Sequence, residues 1–224
     1  MPLSKARRVS LADTVSTQLA DAIVSGEFPA GAPLQEVAIA QQLGVSRAPV
    51  REALIELQMR GLVQFDDQGR TRVPALAPAD IREIHAVRLA LDPLAASLAA
   101  AHATSEDLGR IEETIAAMEA VRTLPELARH DTGFHEAVVR AGRNSRLVAC
   151  WTMLRDQVEL WLTQMHLRDD APLRDRAAFA AIRDRSVQSH RALLAAVRSG
   201  PAAADAEGRR HVADWIASLP EVTA

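Results

Sequence analysis

Gly44-Val45-Ser46-Arg47-Ala48-Pro49-Val50-Arg51-Glu52-Ala53-Leu54 decides how the first third of this 224-residue chain is read. Gly44-Val45-Ser46 reads as a tight turn and Ser46 as an N-cap for a helix over 47–60. Pro49 falls in the first turn of that helix, where a missing N–H costs little. Upstream, Leu34 to Leu43 reads as a short helix. Leu11, Val15, Leu19 and Ile23 mark the apolar face of another helix that ends at Gly26, followed by a turn-rich run to Pro33. Downstream, Gly61 closes the 47–60 helix. Leu62–Phe65 and Thr71–Val73 then flank Asp66-Asp67-Gln68-Gly69-Arg70 as a hairpin. Helix, helix, turn, helix, hairpin is the order of a winged helix-turn-helix.

Such a unit must hold its last helix by one face and offer the other to base edges. Val50, Leu54 and Leu57 supply the holding face, which leaves Arg47 and Arg51, four apart, on a common outward face. Arg is well suited to bidentate contact with guanine, and Ser46 with the helix N-terminus can bind phosphate through backbone N–H groups. Arg70 and Arg72 alternate along the wing and point to one side, towards phosphate or the minor groove. The plainer alternative is that Arg47 and Arg51 only solvate a surface helix; the full order of elements argues against it.

Val73-Pro74-Ala75-Leu76-Ala77-Pro78 reads as a short stiff connector, dividing the chain into a DNA-binding unit at 1–75, a linker at 76–79 and a second domain at 80–224. Everything after it looks helical. Asp80 can cap a helix with apolar positions Ile81, Ile84, Val87, Leu91 and Leu94, in which Pro93 forces a kink or break. Thr104 and Asp107 form a capping box for a helix through Met118, and Leu124-Pro125 starts the next. Further helices are expected from about Ser145 to His166, Leu173 to Ser199 and Ala202 to Ser218, separated by Gly142, Pro172 and Gly200-Pro201. The expectation is a mainly α protein whose second domain is an all-α bundle of six or seven helices.

Composition bounds the rest. With 48% hydrophobic and 25% charged residues, the chain is an ordinary globular one. Its single cysteine, Cys150, excludes an internal disulfide and a thiolate zinc site, and a reducing cytoplasm is the natural compartment. The apolar run from Pro93 to Ala101 is too short to span a bilayer, and no h-region follows the basic N-terminus, so no membrane association is expected. The net charge of −3 is unpromising for nucleic acid. Residues 1–75 hold eight basic and eight acidic side chains, so DNA binding depends on gathering the basic ones on one face. All seven histidines lie after residue 84.

Asp131 and His135, four apart on one helix, face the same way, and His190 and His211 lie on two later helices. One carboxylate and three imidazoles suit a divalent ion, zinc first, with nickel, manganese or iron as alternatives, and leave positions open for water or a ligand oxygen. From the residues alone, surface or core histidines are the ordinary alternative.

The 44–54 run, with Leu57 and Gly61-Leu62-Val63 after it and Leu19, Ile23, Gly26, Gly31 and Leu34 before it, resembles the signature of GntR-family bacterial transcription regulators. By that resemblance Ser46, Arg47, Pro49, Arg51 and the wing Gly69 occupy DNA-contacting positions. Ala48, where many members have Thr, and Val37, where some have Arg, depart from it. Ile84–Arg88, Asp92-Pro93, Ala99-Ala100, Asp131, Phe134-His135, Asn144, Leu147, Ser189–Leu194 and His211 are similar to the FCD effector domain of the FadR subfamily. Metal-binding members use an Asp-(x3)-His and two later His, which implies Asp131, His135, His190 and His211 here. Asp92 stands where Glu is commoner, and Gly208 weakens the last helix. Arg88 matches an effector-contacting Arg and could clamp a carboxylate, its rival role being an ion pair with Asp92; Ser186 faces the same pocket. His85, His102, His130 and His166 match no motif position and are expected to be structural or exposed. Phe134, Trp151, Trp161 and Trp215 are expected in the core or a dimer interface.

The resemblance therefore implies a cytoplasmic homodimer, not an enzyme, that binds a palindromic double-stranded operator as a repressor and is released by a small carboxylate or sugar acid at a metal-containing pocket. The alternatives are a metal-dependent hydrolase or isomerase, for which Glu136 points about 100° away from His135 on a helix, and a metal-responsive sensor.

Overall fold

The computed structural model describes residues 10–167 and 176–217, without the side chains of 165 and 166. The chain divides into two compact units, one ending at Ala75 and the other beginning at Leu76.

In the first unit, α1 (Leu11–Val24) starts from a capping box in which the Ser10 hydroxyl accepts from the Asp13 N–H and the Asp13 carboxylate accepts from the Ser10 N–H, both at 3.0 Å. α2 (Glu36–Leu43) and α3 (Arg47–Met59) follow. Val15, Leu19 and Ile23 of α1 are buried, as are Val50, Leu54 and Leu57 of α3, so the 3.6-residue spacing read from the sequence is the packing seam. Gly44 ends α2 at φ +65°, a left-handed conformation that a Cβ disfavours, and this makes the turn into α3 tight. α2 begins two residues later than the sequence predicts because Leu34 is extended. Its N–H donates to the Thr71 carbonyl, Gly31 donates to Val73, and Val73 donates back to Ala32. The wing thus has a third edge at 31–34 beside β1 (Gln64–Phe65) and β2 (Thr71–Arg72), which pair antiparallel with Gln64 opposite Arg72.

The second unit is all-α among the described residues: α4 (Pro78–His102), α5 (Ser105–Ala120), α6 (Leu124–Ala141), α7 (Ser145–Leu167), α8 (Arg176–Ser199) and α9 (Pro201–Ala217). The predicted Leu173 start of α8 and Pro172 lie outside the described residues. α4 begins at Pro78, and Asp80 is not its N-cap but sits in the first turn and accepts from the Ala77 N–H at 2.7 Å. Pro tolerates this position because its missing N–H has no intrahelical partner to lose.

Of the kink or break expected at Pro93, the break is absent: α4 runs through it as one helix. Pro93 lies in the buried face of α4, and α9 lies so close that a Cβ on Gly208 would sit 2.9 Å from the Pro93 Cα. Gly208 is therefore the residue that lets α9 approach α4, rather than a mere weakness in the last helix. α4 is long and apolar enough to cross a membrane by length and composition alone. Here it is the central helix of the bundle, packed against α6, α7, α8 and α9, with a buried Arg88–Asp92 ion pair on its inner face. The core around it contains Ile111, Met118, Phe134, Leu193 and Val197.

Candidate functional site

Each unit gathers polar side chains at one place. In the first, Arg47 and Arg51 project from the start of α3 and are about three-fifths exposed. They share one partner that the sequence reading did not single out, Glu36 at the start of α2. Arg51 donates from Nε and Nη2 to its two oxygens at 2.9 and 3.2 Å, and Arg47 donates from Nη2 at 3.1 Å. The Arg51 hydrogen bond, opposed by some desolvation and helped by Arg47, holds Glu36 below the usual carboxylate range. Ser46 stands at the N-cap position, yet its hydroxyl makes no capping bond; it is exposed, and Pro49 half-buried, beside the two arginines.

The wing repeats the arrangement. Gly69 turns at φ +72°, and the Asp66 carboxylate accepts from the backbone N–H groups of Gln68 and Arg70. It also takes Arg70 Nε at 2.6 Å and lies 3.9 Å from Arg72 Nε, so both wing arginines face the same side.

In the second unit, α4, α6, α8 and α9 enclose a cavity of about 670 Å³ lined by Arg88, Asp131, His135, Ser186, His190 and His211 among others. His135, His190 and His211 are buried, and each offers a ring nitrogen within 4.8 Å of the other two. His190 Nδ1 lies 2.7 Å from the Ser186 carbonyl oxygen, which can only accept. That places a proton on Nδ1 and turns Nε2 towards the cavity. Nε2 has no hydrogen-bond partner, yet it stands 3.2 Å from Asp131 Oδ1. A ring nitrogen this close to a carboxylate in a buried site needs a cation between them, either a proton on Nε2 or a metal ion. His211 Nε2 and His135 Nε2 face each other at 3.3 Å, and His211 Nδ1 is held 2.7 Å from the Ser189 hydroxyl. These outer contacts orient the rings as ligand-supporting groups do.

The electrostatics agree. Burial, aided by the Arg88 charge, pushes His135 well below its usual value, and burial with the neighbouring histidines does the same to His211, so both are neutral at pH 7. Burial alone would raise the Asp131 carboxyl, but its contact with His190, helped by the Arg88 charge, outweighs burial and holds the group well below the usual carboxylate range.

Comparison with known proteins decides the family. Residues 11–73 match the bacterial regulatory proteins of the gntR family, and residues 83–214 match the FCD domain. The chain is 35% identical over 214 residues, covering 91% of this chain and 88% of the relative, to a protein of Paenarthrobacter nicotinovorans named as a D-xylose utilization operon transcriptional repressor. This chain belongs to the GntR family. The solved structure of E. coli McbR/YncC matches over 97% of this chain and 100% of its own with a TM-score of 0.76 at 22% identity, which shows the fold. A GntR regulator from Rhodococcus sp. RHA1 matches with a TM-score of 0.74 at 25% identity over 95% of this chain and 98% of its own. The family and its relatives are transcriptional regulators that bind DNA, not enzymes.

In this GntR-family regulator Arg88 does pair with Asp92, donating from Nε and Nη2 to one carboxylate oxygen at 3.0 and 2.8 Å, while it also lines the cavity. Nη2 reaches His135 Nε2 at 3.2 Å, and the guanidinium lies 5.2 Å from the Trp215 ring centroid. The other Asp92 oxygen accepts from Trp151 Nε1 at 3.0 Å. Trp151 and Phe134 are core residues, as expected; Phe134 sets its ring edge-on to His190 at 4.5 Å. Trp161 is core too, and Trp215 packs half-buried against the same core cluster while also lining the cavity. Ser186 contributes its carbonyl to His190 and is half-buried in the lining.

Ser189 was missed: it precedes His190 by one residue, and only the crossing of α8 and α9 brings its hydroxyl to His211. His85 is buried against Trp215, His102 is exposed, His130 is half-buried, and the His166 side chain lies outside the described residues. Glu136 is bound to Arg140 and Arg155, both at 2.6 Å, and is not in the cavity lining.

Proposed function

We propose that this regulator is a homodimeric, cytoplasmic repressor of a palindromic operator, released by a small carboxylate or sugar acid bound in the α4/α6/α8/α9 cavity together with a divalent ion, zinc in the first place. The observation that carries the metal reading is the cluster of three buried histidines, His135, His190 and His211, whose ring nitrogens lie within 4.8 Å of one another beside Asp131. Asp131, His135, His190 and His211 would hold the ion. Zinc, nickel, manganese or iron all accept this set of one oxygen and three nitrogens. Bound there, a divalent ion would leave about one net positive charge beside the carboxylate, which favours an anionic ligand. Arg88 lies next to it with Nη1 clear of Asp92, and Ser186 and Ser189 offer hydroxyls near the same rings. The name of the Paenarthrobacter relative, which refers to D-xylose utilization, supports a sugar-related ligand.

Ser46, Arg47, Pro49 and Arg51 on α3 and Gly69, Arg70 and Arg72 in the wing would contact the operator. A dimer would present two such faces to two half-sites, and exposed Val87 and Leu94 on α4 and Met153 on α7 support a second copy packing there.

The test is metal analysis of the purified protein, then thermal unfolding with sugar acids, hydroxy acids and dicarboxylates, with and without chelator. A native-state ligand at a hundred times its Kd adds about 2.7 kcal/mol. About one ion per chain and an acid-induced stabilisation that chelator abolishes are expected. Metal-free protein that still responds to an acid overturns the metal reading.

The same coordination set admits a second reading, in which the metal itself is the signal. Gel shift against the promoter of the neighbouring operon, titrated with metal in the absence of acid, separates the two. In the sensor reading metal alone changes the shift.

A further inference from the structure

The clasp between Glu36 and the two arginines of α3 does little for the fold. Both guanidiniums are about three-fifths exposed, and exposed ion pairs of this kind contribute little to stability. What it does is fix geometry. Arg51 meets Glu36 side-on through Nε and Nη2, which leaves Nη1 and the outer N–H of Nη2, the end-on edge, available. That edge presents two parallel donors, the pattern that guanine O6 and N7 accept in the major groove. Arg47 is tied to the same Glu36 oxygen as Arg51 Nη2, so the two side chains leave α3 in a set relation. Glu36 has the second effect of removing one of the two positive charges from this face. A polyanion with no guanine at the right place therefore meets a face with less net attraction. The wing shows a similar economy, with Asp66 bound to Arg70 and 3.9 Å from Arg72. Glu36 and Asp66 are two of the eight acidic residues that balance the eight basic ones of this unit.

We infer that Glu36 is a specificity-determining positioning residue: it braces Arg51 side-on so that its end-on edge reads guanine, and it lowers attachment to non-operator DNA. The inference rests on the reading of α3 as the operator-reading helix. No operator is needed to test it, because a randomised double-stranded DNA library serves as probe. Wild type, Glu36→Gln, Glu36→Asp, Arg51→Ala and Arg47→Ala are each taken through rounds of selection. Affinity for the wild-type winner and for a scrambled duplex is then measured over a salt series, with thermal unfolding as the check on folding.

Glu36→Gln is expected to bind the scrambled duplex more tightly, with a steeper salt dependence, and to lose about tenfold in the ratio of selected to scrambled affinity, the loss falling on guanine positions. Glu36→Asp keeps the charge but is one carbon too short to hold both arginines, so it loses the ratio without gaining affinity for the scrambled duplex. If both Glu36 variants select the wild-type sequence with an unchanged ratio while Arg51→Ala loses the guanine, the bracing role is overturned and the α3 reading stands. If neither Arg51→Ala nor Arg47→Ala alters the selected sequence, the α3 reading itself falls.

Discussion

His190 owes its chemistry to one backbone atom. Because the Ser186 carbonyl can only accept, Nδ1 carries a proton and Nε2 is the atom that faces Asp131. Replacing His190 with Ala should abolish stoichiometric metal, read by elemental analysis, and with it any chelator-dependent shift in melting temperature; retained stoichiometric metal would exclude His190 as a ligand. Arg88 acts on the other side of the cavity. Its guanidinium contacts His135 Nε2, the nitrogen that would ligate, so it competes with a bound ion for that lone pair. Arg88→Gln removes a cation beside the ion site. It should leave metal occupancy intact or raise it, and should weaken acid binding by about tenfold or more, the loss of a charge-assisted hydrogen bond worth about 1.5–3 kcal/mol. Calorimetric titration of metal and then of acid reads both effects, and parallel loss of the two would show that Arg88 only supports the fold.

At the level of helices, the close crossing of α4 and α9 gives the clearest stability test. A Cβ at Gly208 meets the Pro93 Cα at 2.9 Å, and backbone cannot step aside as a flexible side chain can. Gly208→Val should cost about 1–3 kcal/mol by overpacking, measured by denaturant unfolding. An unchanged midpoint would show that the two helices part freely. The α5 cap gives a pH test. The Thr104 N–H and hydroxyl and the Arg110 and Arg143 guanidiniums hold Asp107 far below the usual carboxylate range. A depressed carboxylate stabilises the fold above its unfolded value of about 3.9, and that contribution fades as pH falls towards the folded value. Asp107→Asn should therefore be less stable than wild type at pH 7, and the gap should narrow below about pH 4. A gap that is constant with pH would mean that the ionised state contributes nothing.

The same helices show what a sequence can convey. Thr104 and Asp107 are three residues apart, and the Val50, Leu54, Leu57 seam repeats at helical spacing, so both were legible from neighbours along the chain. Asp131 and His135 were legible as a pair for the same reason. The contacts that escaped lie across elements. Leu34 pairs with Thr71, Glu36 reaches two arginines on the next helix, Ser189 orients His211 on another, and Pro93 packs closely against a glycine more than a hundred residues later. No local periodicity encodes such pairings, because they depend on crossing angles and register that only packing sets. Gly208 is the instructive case: read along the helix it lowers propensity, and read across the interface it is the only residue that fits.

For the whole molecule, a cavity in one unit and a DNA-reading face in the other matter to regulation only if their occupancies are coupled. An acid that binds both states of the protein equally shifts nothing, however tight its binding. Reversing a 99:1 preference needs about 5.5 kcal/mol of difference, about ten-thousandfold in affinity. Coupling of binding free energies is also reciprocal. Whatever factor the acid takes from operator affinity, a saturating operator duplex must take from acid affinity. The measurement is paired: anisotropy of the selected duplex at increasing acid, and calorimetric titration of acid into protein with and without that duplex, all at one salt concentration because the DNA term is salt-dependent. The two factors should agree within error for wild type, and both should collapse towards one in Arg88→Gln while operator affinity without acid is unchanged. An acid that binds the cavity with the same affinity whether or not the duplex is present would disconnect the two units, and the cavity would then serve stability rather than regulation.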